Sequence, residues 1–233
     1  MNNTFIKLAL VILVTSSFSC GKDRKKWKLP TDVKFKMDMN RTVTLGGNLS
    51  WTSGNIIVSY FTFNGQREQS SDVNFTKDYP SGLNVFFDPT NPVPAWDFDI
   101  PQGTYHQINV SFRTYGSTGD DHIVIKGTYK NTSTSVVYPV QFEFEAEEYY
   151  NVTARNSSGG TKINLEKDKP VSATIKVDPV YWFQTVTTGM MDNATLVVVN
   201  GNPTILINDD TNEDIFDLVR DRIDDNVTTV IFN

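Results

Sequence analysis

One cysteine, Cys20, and two histidines, His106 and His122, are all that this 233-residue chain carries of those two side chains. A single thiol excludes an intramolecular disulfide, even in an oxidising compartment. There is no His-Glu-x-x-His zinc helix, no Gly-x-Ser-x-Gly nucleophile elbow and no glycine loop of the phosphate-binding kind. No apolar run approaches the roughly 20 residues that a permanent membrane-spanning helix needs. Basic charge is scarce outside one short stretch. Lys7 and residues 22–28 take six of the 21 basic residues and one of the 27 acidic ones, leaving 15 basic against 26 acidic. A body carrying a net charge of about −11 lacks the basic footprint that phosphate backbones require, so nucleic acid is excluded as a partner.

What is present suffices for a folded domain. The chain is 39% hydrophobic with 12% aromatics and 21% charged residues, too apolar for a disordered polymer. At its start, Lys7 precedes the apolar run Leu8 to Val14, and small residues lead to Ser19, Cys20 and Gly21. Positive charge, short apolar core and small residues before a break are the parts of a secretory signal peptide, here residues 1–19.

Ser17-Phe18-Ser19-Cys20 resembles the lipobox of bacterial lipoproteins, with Ser17 where leucine usually stands. Lys22-Asp23 resembles the charged export signals that follow the cysteine in surface lipoproteins of Bacteroidetes. The resemblance implies that Cys20 receives a diacylglyceryl group and becomes the mature N-terminus. Two or three acyl chains, at ~0.8 kcal/mol per buried CH₂, would hold such a protein firmly to a leaflet. Residues 20–30 then form a lipidated basic tether.

From Thr31 onward the dominant period is two. Val33, Phe35, Met37 and Met39 alternate with Lys34, Lys36, Asp38 and Asn40, as in a half-buried strand. A strand is expected over 55–63, with Asn64-Gly65 as a type I′ hairpin turn. Further strands are expected at 83–87, 104–114, 122–130, 135–145, 149–155, 161–166, 171–178, 195–199, 203–208 and 226–232. Asp88 to Pro94 reads as a rigid loop with three prolines; Gly116–Gly119 and Ser157–Gly160 read as turns. Ile215, Leu218, Val219 and Ile223 recur at helical spacing, with Thr211 and Asp214 near a capping box. The expected fold is mainly β: an antiparallel β-sandwich, Ig-like or related, with one C-terminal α-helix, in a single domain over 31–233.

Phe98 to Ile108, with Pro101, Gly103 and Tyr105 in a Pro-x-Gly-x-Tyr pattern, is similar to an element of uncharacterised β-sandwich lipoproteins of Bacteroidetes. Asp178 to Phe183 resembles their later aromatic element. The likeness spans residues 33 to 200 in outline, implies the fold and the location, and carries no activity.

Candidate chemistry is sparse. His106 shares a predicted strand face with Ile108, Val110 and Phe112, which suits a core or rim histidine. Asp120, Asp121 and His122 form a local cluster with metal-ligating side chains. Asp210, Asn212 and Asp214 alternate as in the first half of an EF-hand loop, with Asp221 at the twelfth position. Ile215 stands where that loop needs glycine, and the acids equally suit a helix N-terminus. Trp51, Trp96, Tyr181 and Trp182 fall near predicted strand ends. Exposed, they would make a sugar-stacking platform or a protein hot spot; buried, they would plug the ends of a sandwich.

No catalytic residue and no cofactor is expected. The sequence points to a non-enzymatic, lipid-anchored outer-membrane lipoprotein that binds or adheres to a protein or glycan. The alternative is a glycan-handling accessory lipoprotein or a glycan hydrolase, the latter requiring a carboxylate pair in a cleft.

Overall fold

The computed structural model describes residues 27–87, 95–115, 121–223, 225 and 228–233. The signal segment, Cys20, the three-proline loop, Gly116–Gly119 and Asp120 lie outside the described residues. The strands are β1 (Pro30–Met39), β2 (Leu49–Arg67), β3 (Val73–Phe86), β4 (Trp96–Pro101), β5 (Gly103–Thr114), β6 (Ile123–Lys130), β7 (Val137–Phe144), β8 (Tyr149–Thr153), β9 (Arg155–Asn156), β10 (Ile163–Leu165), β11 (Val171–Val177), β12 (Leu196–Val199), β13 (Asn202–Ile207) and β14 (Thr228–Phe232). Helices are α1 (Pro179–Trp182), α2 (Thr188–Asp192) and α3 (Glu213–Ile223).

The molecule is mainly β and built on two sheets, as expected. The smaller runs β4-β1-β11-β14-β9; the larger runs β10-β5-β2-β6-β7-β13-β12, with β3 added on β2 and β8 on β5. Not all pairing is antiparallel: β1 with β11, β7 with β13, and β9 with β14 run parallel. Two short helices, α1 and α2, join the expected C-terminal one. Each is only about one turn, too short for a helical period to register in the sequence.

Strand β2 organises the larger sheet. One of its edges pairs first with β6 and then with β5, because β5 ends opposite Val58 while β6 begins opposite Ile56. The two are one line of strand interrupted by a loop. Strands β7 and β8 repeat the break one position out, with Phe144 opposite Ile123 and Tyr149 opposite Arg113. Buried positions on β2 switch parity twice, from Leu49 and Trp51 to Ile56 and Val58, then to Phe61 and Phe63. Register shifts at Trp51/Ser53 and Val58/Tyr60 absorb both switches, so one face stays inward along the whole strand.

That inner face is covered by two different layers. Beyond Tyr60 it meets the smaller sheet: Phe35 packs edge-on to Phe61 with ring centroids 5.0 Å apart and to Phe232 at 5.8 Å, while Phe61 meets Trp96 at 4.8 Å. Before Gly54 it meets the helices: Trp51 contacts Phe183 at 4.7 Å, and Phe142 contacts Phe183 and Phe216 at 5.7 and 6.1 Å. The buried side chains form a single contiguous core through both halves.

Two sequence expectations are corrected. Asn64-Gly65 is not a hairpin turn; both residues sit mid-strand, opposite Asn74 and Val73 on one edge and Asn109 and Ile108 on the other. Glycine is there because a Cβ at position 65 would lie 2.5 Å from the Tyr105 ring. The strand expected at 83–87 begins ten residues earlier, and Pro80 is tolerated where the ladder between β2 and β3 skips from Asp78 to Leu83.

Candidate functional site

His122 lies at the shared break between β5–β6 and β7–β8. Its carbonyl accepts from the Ile57 N–H at 2.8 Å, its own N–H donates to Phe144 O at 2.8 Å, and its Nδ1 is 3.2 Å from Ala146 O. The ring is buried. Asp121 is half-buried, and burial with the nearby Glu143 and Glu145 pushes its carboxyl up to about 6. Glu143 accepts from Asn208 Nδ2 at 3.0 Å. Among the described residues no three metal-ligating side chains converge.

His106 does not share a face with Ile108, Val110 and Phe112. A register shift at Gln66/Arg67 turns it outward, where its Nε2 lies 2.9 Å from Gln66 Oε1. Ile57 and Gln66 are nine residues apart on β2, so the two histidines are separated by about 30 Å of strand.

The acidic segment before α3 is structural. Asn212 takes a left-handed φ of 54°. Its side chain donates to Thr195 O at 3.1 Å and Leu206 O at 2.6 Å and accepts from the Thr195 N–H at 2.8 Å. Its carbonyl receives the first helical N–H groups, from Ile215 and Phe216, at 3.0 Å each. These bonds commit the Asn212 amide to a clamp. Asp210 donates its N–H to Asn208 Oδ1 at 3.2 Å, and the Asp210 and Asp214 side chains are exposed. Thr211 N–H also donates to Asn208 Oδ1, at 2.9 Å.

Of the four candidate aromatics, Trp51, Trp96 and Trp182 are 2%, 3% and 1% exposed, which places them in the core rather than on a stacking platform. Tyr181 alone lines a surface cleft, about 370 Å³, between α1 and the Thr44–Leu45 turn. The Arg222 guanidinium covers its ring at 4.0 Å and its hydroxyl donates to Asp225 Oδ2 at 2.8 Å. Cation and carboxylate hold the tyrosine in place.

A carboxylate pair that the sequence did not single out forms between β1 and β4. The two carboxyls act on each other, so that Asp32 is held below the usual carboxylate range and Asp97 is pushed above it. Lys34 Nζ is 3.4 Å from Asp32.

The outer faces of the two sheets differ in kind. Across the smaller sheet, Asp32, Lys34, Lys36, Asp38, Asp97, Asp99 and Lys176 point outward, the charged mixture of a solvated surface. Across β3, β2, β5 and β8 the register instead aligns Asn74, Asn64, Asn109 and Thr153 in one row, and Thr76, Thr62, Ser111 and Asn151 in the next. A third row holds Asp78, Tyr60, Arg113 and Tyr149. Sequence reasoning missed this face. The alternation of Tyr60, Thr62, Asn64 and Gln66 with Phe61, Phe63 and Gly65 was the signal for it. No family model, no curated protein and no solved structure matches the chain.

Proposed function

We propose that this chain is a non-enzymatic, lipid-anchored protein of the bacterial outer membrane whose domain binds a protein or glycan partner. The anchor reading is supported by Lys7, the apolar run and the Ser19-Cys20-Gly21 sequence. The binding reading is carried by one observation: the outer face of β2, β3, β5 and β8 is a broad array of uncharged polar side chains, whereas the opposite outer face is charged. Two experiments test the two parts. Cys20→Ser moves the protein from the membrane fraction to the soluble fraction; an unchanged distribution refutes the anchor. A photo-crosslinker at Thr62 yields a discrete adduct in living cells and one at Lys36 does not; equal labelling at both positions, or none at Thr62, refutes the binding face.

A further inference from the structure

We infer that the outer face of β2, β3, β5 and β8 is a site for a neutral glycan chain, with Tyr60 and Tyr149 as its stacking residues; this rests on the binding reading above.

The register places Tyr60 and Tyr149 on either side of Arg113. Two strand spacings separate them, about 10 Å, close to the length of two linked pyranose rings. Tyr149 is 52% exposed. A tyrosine offers an apolar ring for the C–H face of a sugar and a hydroxyl at its tip.

Next to this row stand two rows of amides and hydroxyls, groups that both donate and accept, as sugar hydroxyls do. Bonds within the sheet fix their orientation. Thr62 and Thr76 hydroxyls are 2.9 Å apart, Ser111 donates to Asn151 at 3.1 Å, and Asn109 Oδ1 accepts from Thr153 at 2.9 Å and Gln107 at 3.1 Å. Groups held on paired strands lose little freedom on binding.

Charge selects the class of polymer. The only ionised side chains in the three rows are Asp78 and Arg113, and Arg113 is paired with Glu147. An acidic polymer would meet no free cationic row there, on a body that already carries excess negative charge. A face that served only solubility would resemble the charged outer face of the smaller sheet.

The test is affinity electrophoresis of the full chain in detergent, in gels containing dextran, mannan, laminarin or galactan, with polygalacturonate as the acidic comparison. Retardation is expected in at least one neutral gel. It should persist at high salt, and its dissociation constant should rise about tenfold for Tyr149→Ala, and further with Tyr60→Ala, at unchanged Tm. Lys36→Ala should bind as the parent does. Free migration in every neutral gel, retardation by polygalacturonate alone, or full binding by the double tyrosine variant overturns the proposal. If the gels are negative while the Thr62 crosslinker still captures a protein, the glycan assignment falls and the binding reading stands. If neither gives a signal, both fall.

Discussion

At Gly127 the neighbouring backbone occupies the place where a side chain would start: a Cβ there would stand 2.1 Å from Ser50 O and 2.9 Å from the Trp51 ring. Neither a paired strand nor a core indole gives way cheaply, so Gly127→Ala is expected to cost at least about 1–3 kcal/mol in urea unfolding. Gly159 has left-handed φ but open space around it, and its alanine variant should lose only about 1 kcal/mol. Asp121 makes a prediction in pH. Its ordinary carboxyl value of 3.8 is pushed to about 6 in the folded protein, so the folded state resists ionisation. Below about pH 4 the group is neutral in both states and costs nothing; the penalty grows between the two values and is complete above about pH 6. Asp121→Asn should therefore raise Tm at pH 8 and leave it unchanged near pH 3.5. An equal gain at both would show that charge is not the cause. Residue types at this break were legible in the sequence, but burial and the approach of Glu143 and Glu145 were not, since those neighbours arrive from another strand. The same limit misplaced His106, because a bulge changes which face a residue takes without altering the local composition.

Helix α3 shows how one side chain can hold an element. Its apolar stripe (Ile215, Phe216, Val219 and Ile223) supplies the packing, yet its entry depends on the three side-chain bonds of Asn212. With about 1 kcal/mol per bond and a further penalty for alanine in a left-handed conformation, Asn212→Ala should cost about 3–4 kcal/mol. Asp214→Ala, exposed on the first turn, should stay within about 0.5–1 kcal/mol. Chemical denaturation of both separates the clamp from a mere helix-dipole effect. Elements with an unbroken period were readable beforehand: β1 by its alternation, and α3 by its stripe, although Phe216 is buried where Leu218 was expected. Asn64-Gly65 misled because a strong local turn signal is overridden when both edges of the segment are paired.

The whole molecule has one core under two coverings, so the sheet-covered and helix-covered halves should unfold together. Trp96 reports on the first and Trp51 on the second. Two variants that keep one indole each, Trp96 alone or Trp51 alone with the other three tryptophans changed to Phe, should each give fluorescence and far-ultraviolet circular dichroism midpoints that coincide; separate midpoints within either variant would mean two cooperative units. A β-rich architecture was legible from strand spacing. The double covering was not, because nothing local distinguishes a strand that meets a sheet from one that meets helices.

Strand β1 has a mechanical consequence. Its residues Pro30 to Phe35 pair with β4 and Val33 to Met39 pair with β11, so it is bonded on both edges. The described chain enters it directly from Trp27, whose carbonyl accepts from Arg67 Nη1 at 2.7 Å. A pull on the N-terminal segment, directed along β1, loads hydrogen bonds that lie across the direction of force, so they share it together instead of opening one by one. If the domain is anchored through its N-terminal segment as proposed, a pull along β1 loads this attachment in shear instead of peeling it.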